Sequence, residues 1–435
     1  MAVPVLILLA IMAAAYAAAK ARGLSVELSM FASAVAGGLG GAFLGTPPIR
    51  ELGRHLAEGA FTYLDVILVF FTATLFMTIV NESGGIPYAV RATIRIFARR
   101  RAAALLILMV IILIPGALTG AGSVSLLVVG APVALALGRL GVPKKRAAAI
   151  LFILAGLSAA APPVNIWAMI LCAGTAIPYV GFELVLGIPC LVLGAFTVLF
   201  LGWKKEPVPE GAAAALLEVP AGMTWWRVLV PFAVFFGLVV ATRVWAFSTP
   251  ILGLALEFAA AGAVALALSP RRLPFLSLAL GTVRRLLPLL ATMVIVGMLQ
   301  QVMTATGVRG LLSYALISTP PLLLFILLPV VIPVSEGVLT YGAAAILGIP
   351  LVWFMDSLGY HATVVIAGLS LLWPLGDGLP PTALIGRLSN MVSGYTGSYW
   401  DFLRSTWIPW LVVTAAGMLM IIFSSKLAFL VRWST

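Results

Sequence analysis

Two apolar blocks in this chain, 102–140 and 314–357, are too long for one membrane crossing and are interrupted near their centres. The first interruption reads Ile114-Pro115-Gly116-Ala117-Leu118-Thr119-Gly120-Ala121-Gly122-Ser123, the second Ile332-Pro333-Val334-Ser335-Glu336-Gly337. Proline removes a backbone donor and breaks a helix, and unpaired backbone at membrane depth is tolerated only beside protein or water. Each block is therefore expected to form a re-entrant helical hairpin with a polar tip.

The rest of the chain fits that environment. Apolar runs long enough to cross about 30 Å of hydrocarbon occur at 3–19, 27–45, 61–80, 146–175, 180–202, 225–242, 249–268, 286–302, 360–395 and 405–424. Charged residues make up 9% of the sequence, against about 25% in soluble domains, which excludes a soluble globular protein. The net charge of +12 sits mostly in short gaps between apolar runs, where Lys and Arg set orientation, so a nucleic-acid partner is not expected. Cys172 and Cys190 lie inside apolar runs and read as packing residues. With His55 and His361 they form no recognised metal spacing. The run Val3 to Ala19 lacks a basic start and a cleavage site, and reads as a retained first span. Amphipathic pieces at 47–60 and 86–101 are expected in the membrane interface.

The chain reads as duplicated. At an offset of 218, Pro162-Pro163 falls on Pro380-Pro381, Pro115 on Pro333, Gly130 on Gly348, Pro132 on Pro350 and Leu140-Gly141 on Leu358-Gly359. The polar stretch 204–222 separates a first repeat, 1–203, from a second, 223–435. Arg91, Arg95, Arg99, Arg100 and Arg101 precede the first hairpin and Lys144, Lys145 and Arg146 follow it, whereas no Lys or Arg lies between Arg309 and Arg387. The positive-inside rule then has the two hairpins enter from opposite sides. Five crossings per half give that inversion and place both termini outside. The expected fold is an all-α polytopic membrane protein of two inverted repeats, each with a re-entrant hairpin and a broken helix (146–175 and 360–395).

Inverted repeats with broken helices are the usual build of secondary transporters. Freed helix N-termini can hold an anion, and freed carbonyls with Ser and Thr oxygens a cation. The candidate substrate-binding residues are Thr119, Gly122, Ser123, Ser125 and Asn165 in one half, with Ser335, Thr340, Thr382 and Arg387 in the other. Acids at membrane depth are expensive and mark ion or proton paths, which singles out Glu336 and Asp377. They are also the one candidate pair for an intramembrane enzyme. No catalytic cluster accompanies them, so enzymatic chemistry is not expected. A channel accounts less well than alternating access for inverted halves.

The order of arginine-rich arm, hairpin with a Thr-Gly-Ala-Gly-Ser tip and Pro-Pro break, repeated as a hairpin and a Gly-Leu-Pro-Pro-Thr break, resembles the ion transporter superfamily. Within it the chain is similar to the DctM-like large membrane subunit of TRAP (tripartite ATP-independent periplasmic) transporters. The resemblance covers essentially the whole chain. It implies an elevator-type carrier in the inner membrane of a bacterium or archaeon, moving a small carboxylate such as a dicarboxylate, and it allows a homodimer. It also implies sodium coupling, a small membrane subunit and a periplasmic substrate-binding protein, and no cofactor beyond the coupling ions. Carried over, sodium would lie near Thr119, Gly120, Ser123 and Pro162 to Asn165, and near Ser335, Glu336, Gly337, Asp377, Gly378 and Thr382. The tip Gly-Ala-Gly-Ser, the break Pro-Pro-Val-Asn and the two acids depart from the family pattern. They keep open a stand-alone, proton-coupled organic anion symporter of a sister family.

Overall fold

Every regular element among the described residues is helical. A chain this apolar must satisfy its backbone hydrogen bonds within each segment. The computed structural model describes residues 2–45, 48–97, 100–204, 206, 218–245, 248–250, 252–380 and 382–432. Among the described residues ten helices are long and apolar enough to cross a membrane, so the chain is a multi-pass membrane protein. Most of the expected linker, 204–222, lies outside the described residues.

In the first half the helices are α1 (Ala2–Ala21), α2 (Val26–Phe43), α3 (Ile49–Phe61), α4 (Leu64–Glu82), α5 (Gly85–Phe97), α6 (Arg101–Thr119), α7 (Gly122–Arg139), α8 (Lys144–Ala160), α9 (Ile166–Thr175) and α10 (Phe182–Gly202). In the second they are α11 (Trp225–Val244), α12 (Gly253–Ala267), α13 (Phe275–Ala305), α14 (Val308–Ser318), α15 (Pro321–Leu339), α16 (Ala344–Ser357), α17 (Ala362–Gly376), α18 (Leu384–Ser393) and α19 (Tyr399–Ile422). Several bounds recur at the offset of 218. The π-helical turn Leu126–Gly130 within α7 falls on Ala344–Gly348, and α9 falls on α18 residue for residue.

The helices pack as two groups. In one, α13 lies along α2, α3 and α4, with α12 on α4, α11 on α12 and α1 on α2. Gly59 and Gly297 let α3 and α13 touch backbone to backbone: a Cβ on Gly59 would stand 2.6 Å from the Cα of Met298. Small residues are what allow membrane helices to approach so closely.

The other group is built around α8 and α17. Every residue from Ala147 to Ala160 and from Thr363 to Gly376 is buried, and a helix apolar all round belongs in an interior. Gly156 of α8 rests on Pro374 of α17, its own counterpart at the offset of 218. Around this pair stand α6, α10, α15, α18 and α19. Each hairpin leans on the half-helix of the opposite half: Gly130 of α7 meets Val392 of α18, and Gly348 of α16 meets Leu171 of α9. Arg101 and Arg146 donate to the carbonyls of Gly202 (2.7 Å) and Leu201 (3.3 Å), the open C-terminal end of α10, where basic side chains suit both the carbonyls and the dipole.

Three boundaries differ from the sequence reading. The run 286–302 is the C-terminal part of α13, which starts at Phe275, so Arg284 and Arg285 lie within a helix and not in a loop. The second hairpin begins at Pro321, because 314–318 belongs to α14. Its tip also lies beyond 332–337: α15 runs through Pro329 and Pro333 and stops only at Thr340, whose φ of 51° no helix can continue. The first hairpin behaves alike, running through Pro115 and turning at Gly120 with φ 70°. Neighbouring groups replace the bond a proline removes, so it need not end a helix in a membrane.

Candidate functional site

Four helix interruptions meet inside the second group. The first tip touches the first break, where the Val164 N–H donates to the Ala117 carbonyl at 3.0 Å. Peptide 162–163 in that break is cis. In the other half Thr382 donates to the Gly337 carbonyl through both its N–H (3.3 Å) and its hydroxyl (2.9 Å). The tips reach each other through Tyr341, whose hydroxyl points to the Gly120 carbonyl at 3.5 Å and whose ring lies 4.9 Å from that of Trp167. α15 and α17 approach closely beside the acids: a Cβ on Gly376 would stand 2.6 Å from that of Glu336.

A cavity of about 320 Å³ opens where this convergence faces the first group. From the hairpins come Ser123, Thr340 and Tyr341, and from the second break Asp377. The opposite wall supplies Glu27 of α2, Thr74 and Thr78 of α4, and Arg285 and Thr292 of α13. Thr292 donates to a Glu27 carboxyl oxygen at 3.2 Å. The Thr74 and Thr340 hydroxyls are buried and unpartnered. Beside the cavity Glu336 is fully buried, and the side chain that faces its carboxyl group is the Trp167 indole N–H. A carboxylate with so few partners away from water costs several kcal/mol or more. A bound cation or proton relieves that cost.

Of the expected site residues, Ser123, Thr340 and Asp377 line the cavity, and Glu336, Gly337, Gly378 and Thr382 lie in its supporting layer. The others serve the framework. Thr119 donates to the Pro115 carbonyl (2.7 Å) and Ser335 to that of Ile332 (2.7 Å), each within its own helix. Such back-bonding is the ordinary fate of hydroxyls in membrane helices. Ser125 donates to the Ile112 carbonyl (2.8 Å) and faces Ser158, closing the hairpin on itself. Asn165 caps α9 with both ends of its amide engaged. Gly120 and Gly122 serve the turn, where a Cβ on Gly122 would meet the Ala155 backbone. Pro162 is half-buried in the first break, and Arg387 is exposed on α18; neither lines the cavity.

Glu27, Thr74, Thr78, Arg285, Thr292 and Tyr341 are the polar lining residues that sequence reasoning missed. Only Arg285 carried a signal, a cation just before the apolar run 286–302, where a basic residue ordinarily sets orientation. The fixed polar contacts between the groups include the Tyr16 hydroxyl of α1, which donates to the Val338 carbonyl at 2.6 Å, just before the second tip.

No protein-family model matches the sequence, and no curated protein sequence matches it. Its structure is similar to the crystal structure of the Alcanivorax borkumensis YdaH transporter, described there as having an unusual topology. The likeness spans 88% of this chain and 90% of that one, with a TM-score of 0.57 and 15% sequence identity. At that identity the likeness carries the fold alone, and it does not single out the DctM-like subunit.

Proposed function

We propose that this protein is a cation-coupled secondary carrier of a small organic anion, working by an elevator motion. The observation that carries the reading is the cavity on the seam between the two helix groups. Its polar lining comes from both hairpin tips and the second break on one side and from α2, α4 and α13 on the other. Movement of α6–α10 with α15–α19 against α1–α4 with α11–α13 would carry such a site from one membrane face to the other. The recurrence of element bounds at 218, and Gly156 resting on Pro374, support two inverted repeats related by a twofold axis. A site near such an axis is open to either side at equal cost, which alternating access needs. The basic residues flanking the first hairpin support a cytoplasmic entry for it and termini on the outside of a bacterial or archaeal inner membrane.

Coupling follows from charge. Asp377 at the cavity wall and Glu336 behind it would, when ionised, repel an anion bound beside them, which favours binding of the substrate together with a cation or a proton. The resemblance to the DctM-like subunit supports sodium, with a small membrane subunit and a periplasmic binding protein as partners. The buried acid pair supports a second reading, a stand-alone proton-coupled symporter.

Reconstituted protein tests both. Uptake of a carboxylate driven by an imposed sodium gradient at constant pH supports the first reading. Uptake driven by a pH gradient without sodium, and lost in Glu336→Gln or Asp377→Asn, supports the second. Flux that rises linearly with concentration and needs neither gradient would remove the carrier reading in favour of a channel.

A further inference from the structure

The lining of the cavity also bears on what it carries. Of the cavity's three charged side chains, Glu27 and Asp377 are acids and Arg285 is the single cation. Arg285 makes no ion pair among the described residues; its Nε–H donates to the Gly281 carbonyl one turn back at 3.3 Å. Much of the remaining wall is aliphatic, with Val124 and Leu127 from the first hairpin, Leu286 and Leu289 beside Arg285, and Ile385 and Leu388 from α18. The two buried hydroxyls without partners, Thr74 and Thr340, stand on opposite walls.

We infer that the substrate is a monocarboxylate with an apolar body, its carboxylate held by Arg285 and its body lying against the aliphatic wall. This rests on the carrier reading and narrows its substrate class. The reasoning is charge and solvation. One arginine can compensate one carboxylate and grip it with two parallel hydrogen bonds. A second carboxylate would meet Glu27 or Asp377 with no second cationic side chain in the lining, so it would have to be compensated by a coupling cation alone. A sugar acid would bury several hydroxyls against leucine, isoleucine and valine, where each unmade hydrogen bond is a net loss. The two free threonine hydroxyls can serve at most one or two polar atoms on the substrate, such as a 2-oxo group. The volume, about 320 Å³, is on the scale of a small molecule, with room for roughly ten waters or more.

The test is ligand-induced thermal stabilisation of the full chain in lipid nanodiscs, at fixed pH and fixed sodium. The probes are propionate, butyrate, hexanoate and 4-methyl-2-oxopentanoate against succinate, 2-oxoglutarate and gluconate, with hexanol as the control lacking a carboxylate. Affinity is expected to rise about fourfold for each methylene from propionate to hexanoate. Succinate and gluconate are expected to bind at least about tenfold more weakly than hexanoate, and hexanol not to stabilise. Arg285→Gln should weaken monocarboxylate binding by about 10- to 100-fold, and Arg285→Lys by less. Should Arg285→Gln not fold, the chain-length series on the unaltered protein decides alone. Tightest binding by a dicarboxylate or gluconate, or a flat chain-length series, overturns this inference and leaves the carrier intact. Binding by no anion of any class overturns both.

Discussion

Replacing Asn165 with alanine separates a framework role from a ligand-binding one. Asn165 is fully buried at the start of α9, just after the first break. Its Nδ2 donates to the Ala160 carbonyl at the end of α8 (2.9 Å), and its Oδ1 accepts the Ala168 N–H (2.9 Å). Its backbone N–H donates to the Tyr179 hydroxyl (3.0 Å), which donates onward to the Pro163 carbonyl (3.0 Å). One side chain thus joins the two halves of the broken helix. Asn165→Ala removes both amide bonds and leaves a buried carbonyl and a buried N–H unpaired. At about 1–3 kcal/mol for each orphaned group, the loss is about 2–6 kcal/mol, of which the N-cap accounts for about 0.5–2. Asn165→Ser keeps a capping oxygen and should recover the cap share alone. The assay is thermal unfolding in detergent, with and without a stabilising carboxylate. The expected result is a lower midpoint for Asn165→Ala, partly restored in Asn165→Ser, with the ligand-induced increment unchanged in both. An unaltered midpoint combined with loss of the ligand increment would refute the assignment and make the amide a substrate or ion ligand.

Other substitutions probe the remaining parts. Thr340→Gly should raise stability by about 1–3 kcal/mol, because glycine adopts the positive φ at the second tip without strain, and chemical unfolding measures it. Tyr16→Phe removes the bond to Val338; at about 1 kcal/mol the second hairpin would stand free of α1 about five times more often, seen as faster thiol labelling of a Ser335→Cys probe. Gly59→Val should cost about 1–3 kcal/mol or more, because its Cβ meets the backbone of Met298, which cannot yield, and a lower melting midpoint reports it. Glu336→Gln keeps the shape and removes the charge, so uptake driven by the cation gradient should be lost in the variant while ligand stabilisation persists. A variant whose cation dependence is unchanged would take Glu336 out of coupling.

The sequence alone determined the class and much of the local architecture. Apolar run length requires membrane helices, and the polar gaps divide them. The Gly and Pro pattern at 218 locates matching interruptions, and α9 and α18, the half-helices after the two Pro-Pro points, have the same length and spacing. Where it misjudged a break, at Pro333 against Thr340, the cause was treating proline as a stop signal, when surrounding helices can satisfy what proline leaves open. It named Ser123, Thr340 and Asp377 in the cavity because they stand at interruptions, and Glu336 behind it because an acid there is costly. Only the tertiary structure decided which polar side chains share one space. Thr292 reaches Glu27 across 265 positions of sequence, and Arg285 faces the hairpin tips only because α13 begins at Phe275 and crosses α3 at paired glycines. Likewise, Asn165 and Ser125 look the same as ligand groups or as framework groups until their partners are placed. Periodicity and composition encode what a residue does along its own helix. The charge balance and volume of a cavity belong to helices packed side by side, and those are set by contacts between segments far apart in the chain.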